Sequence, residues 1–183
     1  MSFAYCLNLT FKRPFTSIFF RYLTVMQVSE NMLKWLMRLY PPLLFQRIWV
    51  QRFDKGFRGV KVKVSKSWLN KNYNGSIFGG TIFAAADPFY PVLLDRILKS
   101  KTSRFRIWSK SSRIDFLKPA LSDLYFEITL SDEDIAIARK TLANNGKYEK
   151  SFSLNIYNDR DEVCVSLLNE VYIRDLNYKT EIQ

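Results

Sequence analysis

One apolar segment constrains the fold of this chain more than any other feature: residues 75–100 read GSIFGGTIFAAADPFYPVLLDRILKS. The segment is mostly helical in composition and is interrupted by Pro88 and Pro91. Because it lacks a polar face, a helix formed here has to be buried rather than lie on the surface. The sequence therefore predicts a fold in which other elements wrap around a central hydrophobic helix.

Runs of alternating apolar and polar residues lie on both sides of that segment. Before it, three valines alternate with polar residues over 60–65, which is typical of a half-buried antiparallel strand. After it, the same pattern predicts four more strands, at 104–117, 123–131, 148–158 and 162–173. Residues 131–146 begin with Ser131 and Asp134 in capping-box spacing and end at Gly146, which predicts a short surface helix. This order is not that of βαβ units, and it favours the α+β class.

The N-terminal third shows a different organisation. Residues 30–40 carry apolar side chains on one face and predict an amphipathic helix that ends at Pro41 and Pro42. We expect a second short helix over 43–52. The segment 30–52 could make peripheral contact with a membrane, but we prefer docking on the protein's own core or on a partner subunit. No stretch reaches 18 uncharged apolar residues, so we expect no transmembrane helix.

These patterns divide the chain into four segments. Residues 1–25 are set apart as either non-native or an extended N-terminus, and 26–56 are expected to be a helical extension. Residues 57–176 then form the main domain, and 177–183 form a tail.

The 183 residues include no histidine. This excludes Ser-His-Asp and Cys-His nucleophilic catalysis, metal sites ligated by histidine, and an imidazole general base. The two cysteines, Cys6 and Cys164, are too few for a disulfide scaffold or a CxxC motif. We expect a reducing, cytoplasmic setting, no bound metal, and a chemistry that runs without imidazole.

The net charge of +11 is unevenly distributed along the chain. Residues 1–56 carry +6, residues 57–118 carry +10, and residues 119–183 carry −5. Such a bias attracts polyanions, of which nucleic acid, an anionic membrane surface and a phosphorylated small molecule such as coenzyme A are the candidates. The basic segment lacks a recognisable nucleic-acid recognition motif, which disfavours nucleic acid as the partner.

The segment from Asn72 to Asp87 resembles the signature of hotdog-fold acyl-CoA thioesterases of the phenylacetate-pathway type. That signature reads Asn, five residues, His-Gly-Gly, and an acid seven residues after the second Gly; here Asn72, Gly79, Gly80 and Asp87 have the matching spacing. The likeness is greatest to a group of uncharacterised hotdog proteins that share FGG, DPF, a WxK strand and a C-terminal YIR. It spans about 45–175 and implies a hotdog fold, an antiparallel sheet wrapped around a central helix.

The resemblance also implies roles for individual residues. Asn72 and Gly79 would contact the thioester carbonyl, and Asp87 would act on a substrate held by the opposite subunit of a dimer or dimer of dimers. Ser109, ten residues before Pro119, would help to hold the attacking water. The family histidine is Phe78 here, which departs from the pattern at the residue that often orients the thioester. No cofactor is implied beyond the coenzyme A moiety of the substrate.

The physical chemistry of the same residues supports these roles and also leaves simpler ones open. Free amides near Gly79 and Gly80 at a helix N-terminus can stabilise an oxyanion, and Asp87 in apolar surroundings can serve as a base or nucleophile. Alternatively, Asp87 caps a helix, the glycines allow close packing, and Asn72 is a turn residue. Five basic residues either bind the coenzyme A phosphates or form solvated strand faces: Lys61, Lys63, Arg104, Arg106 and Lys110.

Two functions follow from the sequence. The first is an acyl-CoA thioesterase or thioesterase-like hydrolase, in which water attacks the thioester with Asp87 as base or nucleophile. The alternative is a non-catalytic hotdog protein that binds acyl-CoA or another acyl ligand, which the absence of the family histidine favours.

Overall fold

The structure is a computed structural model that describes residues 28–100 and 102–178. Residues 1–25, which the sequence sets apart, lie outside the described residues. The described residues form five α-helices: α1 Glu30–Leu39, α2 Pro41–Phe45, α3 Gly79–Ala86, α4 Phe89–Leu98 and α5 Asp132–Asn145. It also forms six strands: β1 Ile48–Phe53, β2 Gly59–Val64, β3 Phe105–Phe116, β4 Leu124–Thr129, β5 Lys147–Tyr157 and β6 Val163–Asp175.

The six strands form one antiparallel sheet in the order β1-β2-β4-β5-β6-β3. Helix α4 packs across its middle strands, where Phe89 contacts Phe126 with ring centroids 5.9 Å apart and Tyr90 stacks on Phe152 at 4.5 Å. The facing residues of α3 and of the strands complete a single core. The predicted α+β arrangement, with a sheet around a hydrophobic helix, is confirmed.

The central helix is divided at Pro88, the first of its two prolines, while Pro91 lies within the first turn of α4. Pro88 lacks the N–H that would donate to the carbonyl four residues earlier, and so does Pro91. Both Asp87 and Pro88 nevertheless keep right-handed helical dihedral angles. Helices α3 and α4 are therefore separated by a two-residue turn whose backbone stays close to helical geometry.

The predicted second helix over 43–52 is wrong. Helix α2 ends at Phe45, and the chain continues as β1, in which Ile48 and Val50 are buried opposite Val64 and Val62 of β2. A short apolar run fits a helix and a strand equally well by its pattern, and here the available partner β2 decides between them. The sheet therefore begins inside the segment 26–56 that the sequence assigned to a helical extension.

The two edges of the sheet differ in how they are covered. Strand β1 is packed against α1, and the Nε of Arg38 donates to the carbonyl of Val50 at 2.7 Å. Strand β3 pairs with β6 on one side and has no strand partner among the described residues on the other. An open edge of 12 residues is a template for pairing with another strand.

None of the described helices is both long and apolar enough to cross a membrane.

Helix α5 begins with the capping box that the sequence predicts. The Oγ of Ser131 accepts from the amide of Asp134 at 3.0 Å, and the carboxylate of Asp134 accepts from the amide of Ser131 at 3.1 Å. The ammonium of Lys150 on β5 also donates to this carboxylate. That hydrogen bond is the main reason why the pKa of Asp134 lies below its ordinary value of 3.8.

We predict that Asp134→Asn lowers the free energy of unfolding by about 1 kcal/mol at neutral pH, the typical cost of a lost cap. A carboxyl whose pKa is lowered by folding stabilises the protein above its unfolded-state pKa, and this stabilisation is lost as the pH falls through the folded-state value. The difference between wild type and variant should therefore vanish as the pH falls below 3.8. Denaturant unfolding at several pH values measures it, with Glu133→Gln in the same helical turn as the control. An equal loss in both variants would contradict the assignment.

Candidate active site

The site begins at the N-terminus of α3. Phe78 is extended and occupies the N-cap position without a side-chain cap, and its carbonyl accepts from the amide of Thr81 at 2.9 Å. The amides of Gly79 and Gly80 donate to no group in the described part of the chain. Two N–H donors at the positive end of a helix are therefore free for a ligand.

Aromatic rings lie directly against the backbone of these two glycines. A Cβ atom on Gly79 would come within 2.9 Å of the Cζ of Phe116, and one on Gly80 would overlap the ring of Phe78. Both rings are more than half exposed. The two free amides consequently lie between two exposed aromatic side chains, and only glycine permits this close approach.

The loop before α3 is fixed by two asparagines. Asn72 exchanges hydrogen bonds with Ser76: its Nδ2 donates to Oγ at 2.8 Å, and its Oδ1 accepts from the Ser76 amide at 3.1 Å. Asn70, which is buried, donates from Nδ2 to the carbonyls of Gln46 and Ser65, both at 2.9 Å. Asn72 is thus a turn residue in this structure, and its contact with a thioester remains a prediction.

Asn70 is a positioning residue that sequence reasoning missed. Its own carbonyl accepts from the amide of Phe78 at 2.7 Å, so it holds the start of α3 in place.

Asp87 lies at the other end of α3, as its C-cap. Its amide donates to the carbonyl of Phe83 at 3.1 Å, while its half-buried carboxylate forms no hydrogen bond or ion pair with a described residue. The alternative that Asp87 caps α4 does not hold, because Pro88 occupies that N-cap position and no side chain caps it. The described part of the chain therefore leaves the carboxylate of Asp87 available to a ligand.

The structure brings Asp87 and Ser109 together. Ser109 faces the helix from β3, and its Oγ donates to the backbone carbonyl of Asp87 at 3.0 Å. In an uninterrupted helix that carbonyl would accept from the amide of residue 91, which is proline and has no N–H. Ser109 therefore supplies the donor that Pro91 lacks and fixes the backbone that carries the candidate base.

The two ends of α3 are too far apart to act on the same atom. Asp87 is eight positions after Gly79, and a rise of about 1.5 Å per residue places them about 12 Å apart along the helix axis. Strand β3 runs beside the helix in the opposite direction, with Ser109 at the Asp87 end and Phe116 at the Gly79 end. One chain therefore holds two separate halves of the predicted site.

A buried polar pair lies on the same face of the sheet, between the two halves. Asn169 of β6 is 0% exposed, and its Oδ1 accepts from the Oγ of Ser112 at 3.0 Å. Its Nδ2 is buried and has no partner among the described residues. Sequence reasoning missed this residue, although a polar residue at an inward position of the alternating strand 162–173 is the signal that could have identified it.

The predicted basic residues do not form one cluster. Lys61 and Lys63 lie on β2, about 19 Å from β3 at four strand spacings. Lys63 pairs with Asp123 at 2.7 Å, and Lys110 pairs with Glu149 at 2.6 Å. Hydrogen bonds to these carboxylates are the main reason why the pKa of each lysine is raised.

Arg104 and Arg106 differ from these lysines. Both are exposed near the start of β3, and neither forms an ion pair with a described residue.

Solved structures of three bacterial proteins share this architecture. A protein of unknown function from Pseudomonas aeruginosa, described as a probable thioesterase, aligns with a TM-score of 0.71 at 20% identity over 81% of this chain and 97% of that chain. A thioesterase from Haemophilus influenzae aligns with a TM-score of 0.61 at 11% identity over 85% and 97%. The PaaI protein of the E. coli phenylacetic acid degradation operon aligns with a TM-score of 0.55 at 15% identity over 79% and 95%.

The chain therefore has the hotdog fold of thioesterase-like proteins, and the resemblance seen in its sequence is confirmed. Residues 29–173 match the family described as Domain of unknown function (DUF4442), and the chain belongs to that family. A comparison with curated proteins finds no match. Because these identities do not exceed 20%, the structural likeness shows the fold alone and does not show the reaction.

We predict that Ser109→Ala lowers the free energy of unfolding by about 1 kcal/mol, because the carbonyl of Asp87 loses its donor. The loss should be smaller in a Pro91→Ala background, where a new backbone N–H at position 91 can donate to the same carbonyl. Denaturant unfolding of both single variants and the double variant measures this coupling. Strictly additive losses would show that the Ser109 hydroxyl does not replace the missing amide.

Proposed function

We propose that this protein hydrolyses acyl-CoA thioesters at a site that two copies of the chain form together. The observation that carries the proposal is the presence of two kinds of free group at opposite ends of one helix. The amides of Gly79 and Gly80 at one end, and the carboxylate of Asp87 at the other, have no hydrogen-bond partner among the described residues. The hotdog fold and the signature spacing support the same conclusion. The protein would be a homodimer or a dimer of dimers.

The open edge of β3 supports assembly of the two halves. In an antiparallel pairing of β3 with its copy about a two-fold axis near Ser112 and Arg113, Ser109 lies opposite Phe116 of the second copy. Ser109 contacts Asp87, and Phe116 contacts Gly79. This pairing therefore brings the carboxylate end of one α3 towards the amide end of the other, which a single chain cannot do.

The chemistry needs no imidazole. The amides of Gly79 and Gly80 donate to the thioester carbonyl, and their hydrogen bonds strengthen as negative charge develops on its oxygen. Asp87 of the other copy either takes a proton from a water that attacks the carbonyl carbon, or attacks that carbon itself and forms an anhydride that water then hydrolyses. In both routes the carbon–sulfur bond breaks, the free acid forms, and coenzyme A leaves as thiolate and takes up a proton.

The surroundings of the amides are consistent with an acyl thioester. The exposed rings of Phe78 and Phe116 form apolar walls on both sides of the helix start, where an acyl chain or the pantetheine arm would pack. Arg104 and Arg106 remain available for the coenzyme A phosphates. Lys63 and Lys110 are already paired with carboxylates, and Lys61 lies on the same distant strand as Lys63, so these three are less suited to that role.

A second candidate function rests on Phe78. This side chain stands where the resemblance places a histidine, and a phenyl ring can pack against an acyl chain but cannot orient a carbonyl by hydrogen bonding. A protein that binds acyl-CoA without hydrolysing it is therefore the alternative.

We predict that Asp87→Asn lowers kcat for acyl-CoA hydrolysis by about 10² to 10⁴ and leaves the fold intact, because the amide keeps the shape but cannot accept a proton or attack. Release of free thiol from a series of acyl chain lengths measures the rate. Asp95→Asn on α4 is the matched control and should keep full activity. Saturable acyl-CoA binding with no turnover by the wild type would select the binding protein, and full activity of Asp87→Asn would exclude Asp87 from the chemistry.

A further inference from the structure

Helix α1 has a wider apolar surface than its packing on the sheet requires. From Trp35 round to Met37, apolar side chains cover about 200° of its circumference, because successive residues turn by about 100°. The core uses one part of this arc: Leu33 is buried, and Leu36 and Met37 pack against it. A helix that only docks on a core needs an apolar arc roughly half as wide.

The remaining part of the arc is exposed. Met32, Trp35 and Leu39 are 43%, 51% and 65% exposed, and they lie on adjacent turns of α1. Phe45, at the end of α2, is also largely exposed. Large apolar side chains grouped in this way mark an interaction surface, unlike single exposed ones.

Positive charge lies beside these side chains. The ammonium of Lys34 is 5.5 Å from the centroid of the Trp35 ring, and the guanidinium of Arg38 is 4.9 Å from it. From residue 31 to residue 53 the chain contains four basic residues and no carboxylate. The surface is thus apolar in its centre, with the cations of Lys34 and Arg38 at its margin.

We propose that this surface, formed by the exposed side chains of α1 and α2, binds the surface of an anionic lipid bilayer. Tryptophan beside basic residues is the composition of a helix that lies in the headgroup region, with its apolar side chains inserted and its cations on lipid phosphates. The proposal goes beyond thioester hydrolysis and does not depend on it.

Charge argues against a second copy of the chain as the occupant. A two-fold contact through this surface would place Lys34 and Arg38 close to the same residues of the partner, and the one carboxylate of α1, that of Glu30, already accepts from the amide of Gly56 at 2.8 Å. The surface also lies at the β1 end of the sheet, about 24 Å from the open edge of β3 at five strand spacings. Bilayer binding is therefore compatible with dimerisation through β3.

The test is sedimentation of the full chain with lipid vesicles, one set of pure phosphatidylcholine and one with about 30% phosphatidylglycerol. We expect binding to the anionic vesicles, with release as the salt concentration rises well above the physiological range. The measurement needs no substrate and no enzymatic activity. Absence of preferential binding to the anionic vesicles at low salt would overturn the proposal.

Two variants locate the binding surface. Leu39→Asp should weaken binding at least about tenfold, because an exposed side chain that inserts is replaced by an anion. Ile137→Asp on α5, where the side chain is 43% exposed, is the matched control and should bind as the wild type does. Lys34→Gln should weaken binding about fivefold, with Lys140→Gln on α5 as its control. Binding that survives both Leu39→Asp and Lys34→Gln would place the lipid contact elsewhere and overturn the proposal.

Discussion

The packing of the apolar helix α3 beside the open edge of β3 determines every other property of the candidate site. The helix buries Ile82, Ala85 and Ala86 in the core, while Phe83 is 41% exposed. Gly79 allows the ring of Phe116 to approach the helix backbone at one end. Ser109 reaches the backbone of Asp87 at the other end. The strand that contacts both ends, β3, is also an edge strand that pairs only with β6 among the described residues.

A protein without histidine has to obtain electrophilic and basic groups from other sources. In the proposed reaction the electrophile is the backbone of Gly79 and Gly80, whose direction the helix fixes, so no side chain has to be held in place. The basic group in the proposed reaction is the carboxylate of Asp87, which has no hydrogen-bond or ion-pair partner among the described residues. Because about 12 Å of helix separates this carboxylate from the glycine amides, the proposed reaction needs a second copy of the chain.

Strong local signals were sufficient to predict most of the fold. The valines of β2 alternate strictly, and the capping box of α5 marks a helix start, so these elements formed where the sequence predicts them. Residues 43–52 were misassigned because the spacing of their apolar residues suits a helix as well as a strand. The pairing of β1 with β2 makes most of this run a strand, and this pairing is not local in the sequence.

The candidate site was predictable in part. The spacing from Asn72 to Asp87 identified the helix. Ser109, found by a count back from Pro119, contacts the backbone of Asp87 in the structure, while its role in holding the attacking water stays a prediction. Asn169 could have been identified from its inward position in an alternating strand, whereas the role of Asn70 comes from hydrogen bonds to the carbonyls of Gln46 and Ser65 that the sequence does not show. The resemblance also implied a site shared between subunits, and the length of helix between Gly79 and Asp87 is consistent with that prediction.

Complementation between two inactive variants tests the shared site most directly. Asp87→Asn removes the carboxylate, and Gly79→Val blocks the approach to the helix amides; each variant alone should be inactive while still forming dimers. In an equal mixture, half of the dimers are mixed and each of these has one intact site, so the account predicts recovery of about one quarter of the wild-type activity. A mixture that forms mixed dimers and stays as inactive as its two components would contradict it.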